Sequence, residues 1–216
     1  ARLLSVTEAC DLIRSVMRSR QAAANPFVVG VAGPGDPLSN DETFEAIGQI
    51  HHEYPHLLKC LSTNGLLLED KLQRIIDIGI RAITVTVNAA DSGIGKSIYS
   101  WVNYRGITYR GEEAASLLLE KQFNGIRKAV DEGLKVKVNT VLIPGINDSI
   151  MPELATRIKD AGGTMMNIMP LIPSGLMRGL PSPSCDELRR ARLECEGIIP
   201  QFHLCQQCRA DTIYLP

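Results

Sequence analysis

With 216 residues, 44 % of them hydrophobic, the chain is long enough to bury one substantial core, and a single domain over 1–216 is expected. A formal net charge of −1 and only 5 % aromatic residues give no basic stripe for nucleic acid, and no apolar run reaches the length needed to cross a membrane. Six irregularly spaced cysteines fit a reducing cytoplasm better than a disulfide scaffold, while an initial Ala and the lack of a secretory leader suggest a chain trimmed or incomplete upstream.

In chain order, Ser5-Val6-Thr7-Glu8 forms a capping box, and Ala9, Leu12, Ile13, Val16 and Met17 follow at helical spacing, so the chain opens on a helix. A β-branched run over 27–32 predicts a buried parallel strand that ends in Gly33-Pro34-Gly35-Asp36-Pro37. Glycines there let the backbone approach a ligand and prolines stiffen the turn, as a loop holding something small and polar requires. A Rossmann fingerprint fits poorly, because the order is Gly30-x-x-Gly33-x-Gly35 and the helix starts late. That helix spans about 41–53 and buries Phe44, Ile47 and Ile50. A strand at 57–61 stops at Ser62-Thr63-Asn64-Gly65, and a helix around 69–78 closes at Gly79.

Next comes a strand over 80–87, in which Ile83, Val85 and Val87 face one way and Thr84, Thr86 and Asn88 the other. Residues 89–111, with the single Trp and three of the five Tyr, read as a loop. A helix over 112–131 ends at Gly133, and a strand at 135–143 sets Lys137 and Asn139 opposite Val136, Val138 and Thr140. A helix from about 148 to 162, a strand at 165–169 centred on Asn167, and a helix behind the capping box Ser184-Cys185-Asp186-Glu187 complete the pattern.

One helix followed by five strand–helix units predicts an α/β fold with a parallel sheet and outer helices. Polar residues at the strand ends favour a barrel mouth, where barrel enzymes keep their active sites. Because the array begins on a helix, the expected fold is a partial (β/α) barrel without its first strand or the loop after it, and 172–216 forms a C-terminal extension.

Cys205-Gln206-Gln207-Cys208 is the sharpest local signal, since two thiols three residues apart can share a metal centre and Arg209 would lower their pKa. A redox pair, half a zinc ribbon and two idle thiols stay open as alternatives. Cys60 shares strand parity with Ser62 and either projects into the mouth or is a small buried hydrophobe. Cys10, Cys185 and Cys195 fall in helices as structural residues, and His51, His52 and His56 read as solvated. Ala90-Asp91-Ser92-Gly93-Ile94-Gly95-Lys96-Ser97 is a near miss to a P-loop, with Ala where Gly should stand and no following apolar strand ending in Asp to help hold magnesium.

Val29-Gly30-Val31-Ala32-Gly33-Pro34-Gly35-Asp36-Pro37-Leu38, Cys60-Leu61-Ser62-Thr63-Asn64-Gly65-Leu66, Thr84-Val85-Thr86-Val87-Asn88 and Val136 through Asp148, together with Asn167-Ile168-Met169-Pro170-Leu171 and Cys205-Gln206-Gln207-Cys208-Arg209-Ala210-Asp211, resemble the NifB family of radical S-adenosylmethionine enzymes. The resemblance implies a TIM-like partial barrel that binds S-adenosylmethionine at the strand C-termini. Reduction at a [4Fe–4S] cluster would then deliver the methyl carbon as the carbide of a fused iron–sulfur core, the precursor of the nitrogenase cofactor. By position it puts Gly33, Pro34, Gly35 and Asp36 at the methionine amino group, Asn88 and Asn139 on the ribose side, Ile168 and Met169 near adenine, and Asn64 among the cofactor contacts.

Cys60, Cys205 and Cys208 match the family cysteines that hold the two substrate clusters, and the implied partners are iron–sulfur cluster donors and nitrogenase cofactor carrier or scaffold proteins. The sequence departs from the family: it contains neither the Cys-x-x-x-Cys-x-x-Cys loop that binds the cleaving cluster nor the further upstream histidine, and its segment after Leu171, with Pro173, Pro181 and Pro183, is shorter and more irregular. Truncation explains both at once, and the chain as given is expected to be inactive alone. The competing expectation is a non-catalytic iron–sulfur carrier.

Overall fold

The structure, a computed structural model, describes residues 4–19, 28–31 and 35–202. Gly33, Pro34, Cys205 and Cys208 lie outside the described residues. Helix α1 (Val6–Arg18) starts on the expected capping box: Ser5 Oγ accepts the Glu8 N–H at 3.2 Å and the Glu8 carboxylate accepts the Ser5 N–H at 2.9 Å. There follow β1 (Val28–Val31), α2 (Asp41–Glu53), β2 (Leu58–Thr63), α3 (Leu68–Asp77) and β3 (Ala82–Thr86). After an insertion come α5 (Gly111–Asp131), β6 (Lys135–Leu142), α6 (Met151–Asp160), β7 (Met165–Pro170) and α7 (Cys185–Glu196).

The five strands β1, β2, β3, β6 and β7 form one parallel sheet in chain order, as the alternation of strands and helices requires. Side-chain alternation then divides the sheet into two unlike faces. On one, Leu61, Ile83, Val85, Val136, Val138, Met166 and Ile168 are buried against Ile47, Leu72, Ile75, Phe123, Leu154 and Cys195 of the helices. The main hydrophobic cluster lies on that side.

Strand register lays the other face out in rows. Gly30, Cys60, Ala82 and Lys135 form the first, Ser62, Thr84, Lys137 and Met165 the second, Thr86, Asn139 and Asn167 the third, and Val141 and Met169 the fourth. Beyond β7 the chain returns to pair once more: Met166 donates its N–H to Pro200 O at 2.9 Å and its carbonyl accepts the Phe202 N–H at 2.8 Å.

Residues 89–111 are not a loop. Asp91 Oδ1 accepts the Ile94 N–H at 2.9 Å and starts α4 (Ser92–Ile98), after which β4 (Trp101–Tyr104) and β5 (Ile107–Arg110) make an antiparallel hairpin. Arg105 (φ 53°) and Gly106 (φ 81°) turn it, both left-handed as a two-residue I′ turn demands. Val102 and Tyr104 pack on Ala114 and Leu118 of α5. The P-loop resemblance dissolves here, because a Cβ on Gly95 would stand 2.8 Å from that of Ala115, so the glycine serves helix packing, and Lys96 pairs with Glu112 at 3.0 Å.

Two further expectations change. His51 is not simply solvated: its Nδ1 lies 3.2 Å from Nζ of Lys59, which is 3 % exposed and donates to the carbonyls of Leu57, Tyr54 and Pro55 at 2.8–3.4 Å, closing the C-terminal end of α2. Cys185 is exposed, whereas Cys10 and Cys195 are buried as structural residues should be. Among the described residues no helix is long and apolar enough to cross a membrane.

Candidate functional site

The C-terminal ends of the strands are tied together by side chains in place of ladder hydrogen bonds. Asp36, just past β1, accepts the Leu38 N–H (3.0 Å), the Thr63 hydroxyl (2.8 and 2.9 Å to its two oxygens) and the Asn64 N–H (2.6 Å). Its carboxylate therefore braces the loop after β1 against the end of β2, and Gly35 (φ +92°) supplies the left-handed bend with open space where a side chain would be. Asn64 is exposed and its Oδ1 accepts the Leu66 N–H at 2.8 Å.

Asn88 and Asn147 knit β3 to β6. Asn88 Oδ1 accepts the Val141 N–H (2.9 Å), and Tyr99 Oη accepts the Asn88 N–H (3.2 Å). Asn147, fully buried, donates Nδ2 to Asn88 O (2.9 Å) and Val141 O (2.8 Å) while its Oδ1 accepts the Ile143 N–H (2.7 Å). Gln122 on α5 donates to Asn64 O (2.7 Å) and Thr86 O (2.9 Å), and the Thr140 hydroxyl to Val87 O (2.7 Å). Strand-end carbonyls that have left the ladder are satisfied in this way. Burial pushes the Tyr99 phenol above its ordinary pKa, against the hydrogen bonds from Asn88 and Gln122, so it stays neutral.

Asn147, Gln122 and Tyr99 were not anticipated as site-forming residues. Asn147 had a signal, the Pro144-Gly145-Ile146-Asn147-Asp148 turn; a glutamine inside an amphipathic helix had none.

On the helix-free face, Asn167 is fully buried and donates Nδ2 to Asn139 Oδ1 at 3.1 Å, with Met169 next along β7. Asn88, Asn139 and Met169 thus share one side of the sheet. Ile168 does not: its side chain is buried in the core on the opposite face, and its carbonyl accepts Arg192 Nε (3.1 Å) and Nη2 (2.7 Å). Only its backbone is left for a ligand on the side of Met169.

Cys60 lies half-buried on the same face as Asn139, its Sγ 3.6 Å from Leu61 O and 3.8 Å from Thr84 Oγ1. These are weak contacts at sulfur distances, so the thiol is neither sealed nor committed. Cys195 differs: burial pushes its thiol up to about 11. Among the described residues no three His, Cys, Asp or Glu side chains converge as a closed metal centre. Cys60 offers instead one soft ligand beside neutral hydroxyl and amide groups, which suits an iron–sulfur ligand completed from elsewhere.

A Radical SAM superfamily family model matches residues 13–158. The chain is 46 % identical, over 98 % of its length, to the FeMo cofactor biosynthesis protein NifB of Methanocaldococcus jannaschii, of which it covers 70 %. It is 50 % identical over 95 % of its length to the protein of that name from Methanocaldococcus infernus, of which it covers 67 %. Among solved structures, a radical SAM methyltransferase from Sphaerobacter thermophilus aligns with a TM-score of 0.67 at 21 % identity, over 94 % of this chain and 58 % of that one. At that identity the likeness speaks to the fold alone, a partial TIM-like barrel.

Proposed function

Because the chain belongs to the NifB family of the radical S-adenosylmethionine superfamily, we propose that it fuses two iron–sulfur substrate clusters into the core of the nitrogenase cofactor and accommodates a carbide drawn from S-adenosylmethionine. The observation that carries this reading is Cys60, a half-exposed thiol on the helix-free face, one row below Ser62 and Thr84 and two below Asn139. Cys60 would hold one substrate cluster and the Cys205/Cys208 pair the other; the described chain reaches Phe202, three residues before Cys205. Uncrowded ligands suit a cluster that has to be released after fusion.

S-adenosylmethionine fits the rim on chemical grounds. Asn88, half-buried just past β3 with its Oδ1 taken by the Val141 N–H, can turn its Nδ2 from beside the Tyr99 hydroxyl to a ribose hydroxyl, and the Asp36 clamp fixes the rim where the backbone of Gly35 can meet the methionine end. Asn139 on the ribose side, and Met169 with the backbone of Ile168 at adenine, complete the proposed pocket.

The resident [4Fe–4S] cluster of this superfamily supplies reductive cleavage of the sulfonium when bound. These 216 residues contain no Cys-x-x-x-Cys-x-x-Cys to hold it. A second reading is an iron–sulfur carrier that uses Cys60, Cys205 and Cys208 without radical chemistry. Proposed partners are cluster donors and cofactor carrier or scaffold proteins, in the cytoplasm.

Anaerobic reconstitution with iron and sulfide tests the proposal. Cys60→Ala and the double variant Cys205→Ala, Cys208→Ala should each lose the iron of one cluster with circular dichroism unchanged; unaltered iron content overturns the assignment. Joining the cysteine triplet upstream should then yield 5′-deoxyadenosine from S-adenosylmethionine and dithionite, whereas cluster uptake without cleavage leaves only the carrier.

A further inference from the structure

The strand residues on the helix-free face include two cations and no carboxylate: Lys135 in the row of Cys60, and Lys137 in the row of Ser62 and Thr84. Lys135 is exposed and belongs to solvent. Lys137 is half-buried at the middle of β6, and among the described residues it has no ion-pair partner; its Nζ rests 4.5 Å above the ring of Phe202. Phe202 is itself fixed by its N–H to Met166 O at 2.8 Å. An ammonium held on an aromatic face keeps its full charge for another partner, since a ring quadrupole attracts a cation without neutralising it.

Lys137 and Cys60 lie two strands and one side-chain row apart, about 12 Å between Cα atoms. A lysine stem reaches about half that distance, and a cluster seated on Cys60 fills much of the rest. Thiolate-ligated iron–sulfur clusters are anionic, and the face offers neutral hydroxyls and amides plus this one sheltered cation.

We propose that Lys137 is a positioning residue for the anionic iron–sulfur substrate, leaving Phe202 to set its charge against the cluster held by Cys60. The inference rests on the cluster-binding reading above and adds to it the group that balances the substrate's charge. Lys137 draws the cluster toward the centre of the sheet, beneath Asn139 and the rim, and stabilises its more reduced, more negative state.

The test uses the protein reconstituted with iron and sulfide, comparing wild type with Lys137→Met, Lys137→Gln, Lys137→Arg and, as a control for net charge, Lys159→Met, exposed on α6 on the other side of the sheet. Removing the Lys137 charge should make the cluster dissociate to a chelator about tenfold more readily. It should also move the reduction potential, followed by electron paramagnetic resonance, to a more negative value. Lys137→Arg should restore both, and Lys159→Met should alter neither. Met and Gln variants that match wild type in retention and potential overturn the proposal. So does a loss confined to S-adenosylmethionine affinity, measured by equilibrium dialysis, because the lysine would then serve the carboxylate of that molecule. A wild-type protein that takes up no cluster would bring down the underlying reading, and is told apart from the other outcomes because every variant is scored against it.

Discussion

Asn147 joins three backbone groups that no strand can reach, and its removal shows what the rim is worth. Asn147→Ala would leave the Ile143 N–H and the carbonyls of Asn88 and Val141 unpaired in a buried place, so a loss of about 3 kcal/mol is expected in urea unfolding. Asp36 makes the complementary point. Residue type alone marks it as a ligand candidate, yet its carboxylate is engaged by Leu38, Thr63 and Asn64. Asp36→Ala should therefore weaken S-adenosylmethionine binding by releasing the loop, and the same loss should appear in Thr63→Val, which touches no ligand; a normal dissociation constant in Thr63→Val would contradict this. Ile168 and Met169 take opposite faces by alternation along β7, so beside an adenine Met169 would offer its side chain and Ile168 its backbone.

At the scale of elements, the parallel strands could be read because β-branched runs end in turn formers, and the polar parity of Thr84, Thr86 and Asn139 falls on the face that the structure leaves without helices. The hairpin could not be read as easily. Its turn is Arg105-Gly106, where Asn-Gly or Asp-Gly is the strong signal, and the short α4 is diluted by Gly93 and Gly95. Arg105 pays for a left-handed backbone that Asn tolerates better. Arg105→Asn should stabilise the protein by about 0.5 kcal/mol despite losing the 3.4 Å contact to Asp70, as a shift in urea midpoint would register. Gly79 is the opposite case: φ is +75° and an added Cβ would stand 2.3 Å from the His51 ring. Gly79→Ala should cost about 2 kcal/mol and displace His51 from Lys59.

For the molecule as a whole, that same contact sets a pH dependence. Burial, then the charges of Lys59, Arg81 and His52, hold the His51 pKa below its ordinary 6.5. The folded state thus binds fewer protons than the unfolded chain below 6.5, and stability is present in full above that pH and falls as pH drops through the folded value. Urea midpoints between pH 8 and 5 should decline accordingly, with a flatter profile in His51→Gln, which keeps an acceptor for Lys59 but cannot titrate. One-sided packing has the larger functional effect: the helices after α1 build the main core on one face, which leaves the other face to be furnished with thiol, amide and ammonium groups.

The sheet order carries one more consequence, for biosynthesis. Each main-sheet strand after β1 docks against a neighbour translated before it, and the longest wait, between β3 and β6, is filled by the hairpin and α5. As the polypeptide leaves the ribosome, each of these strands therefore meets a docking edge already made, and the sheet extends in one direction between β1 and β7. Among the described residues the edge of β7 is the last to be covered, by Gln201 and Phe202, so β7 stays an open edge until the strands before it have all docked.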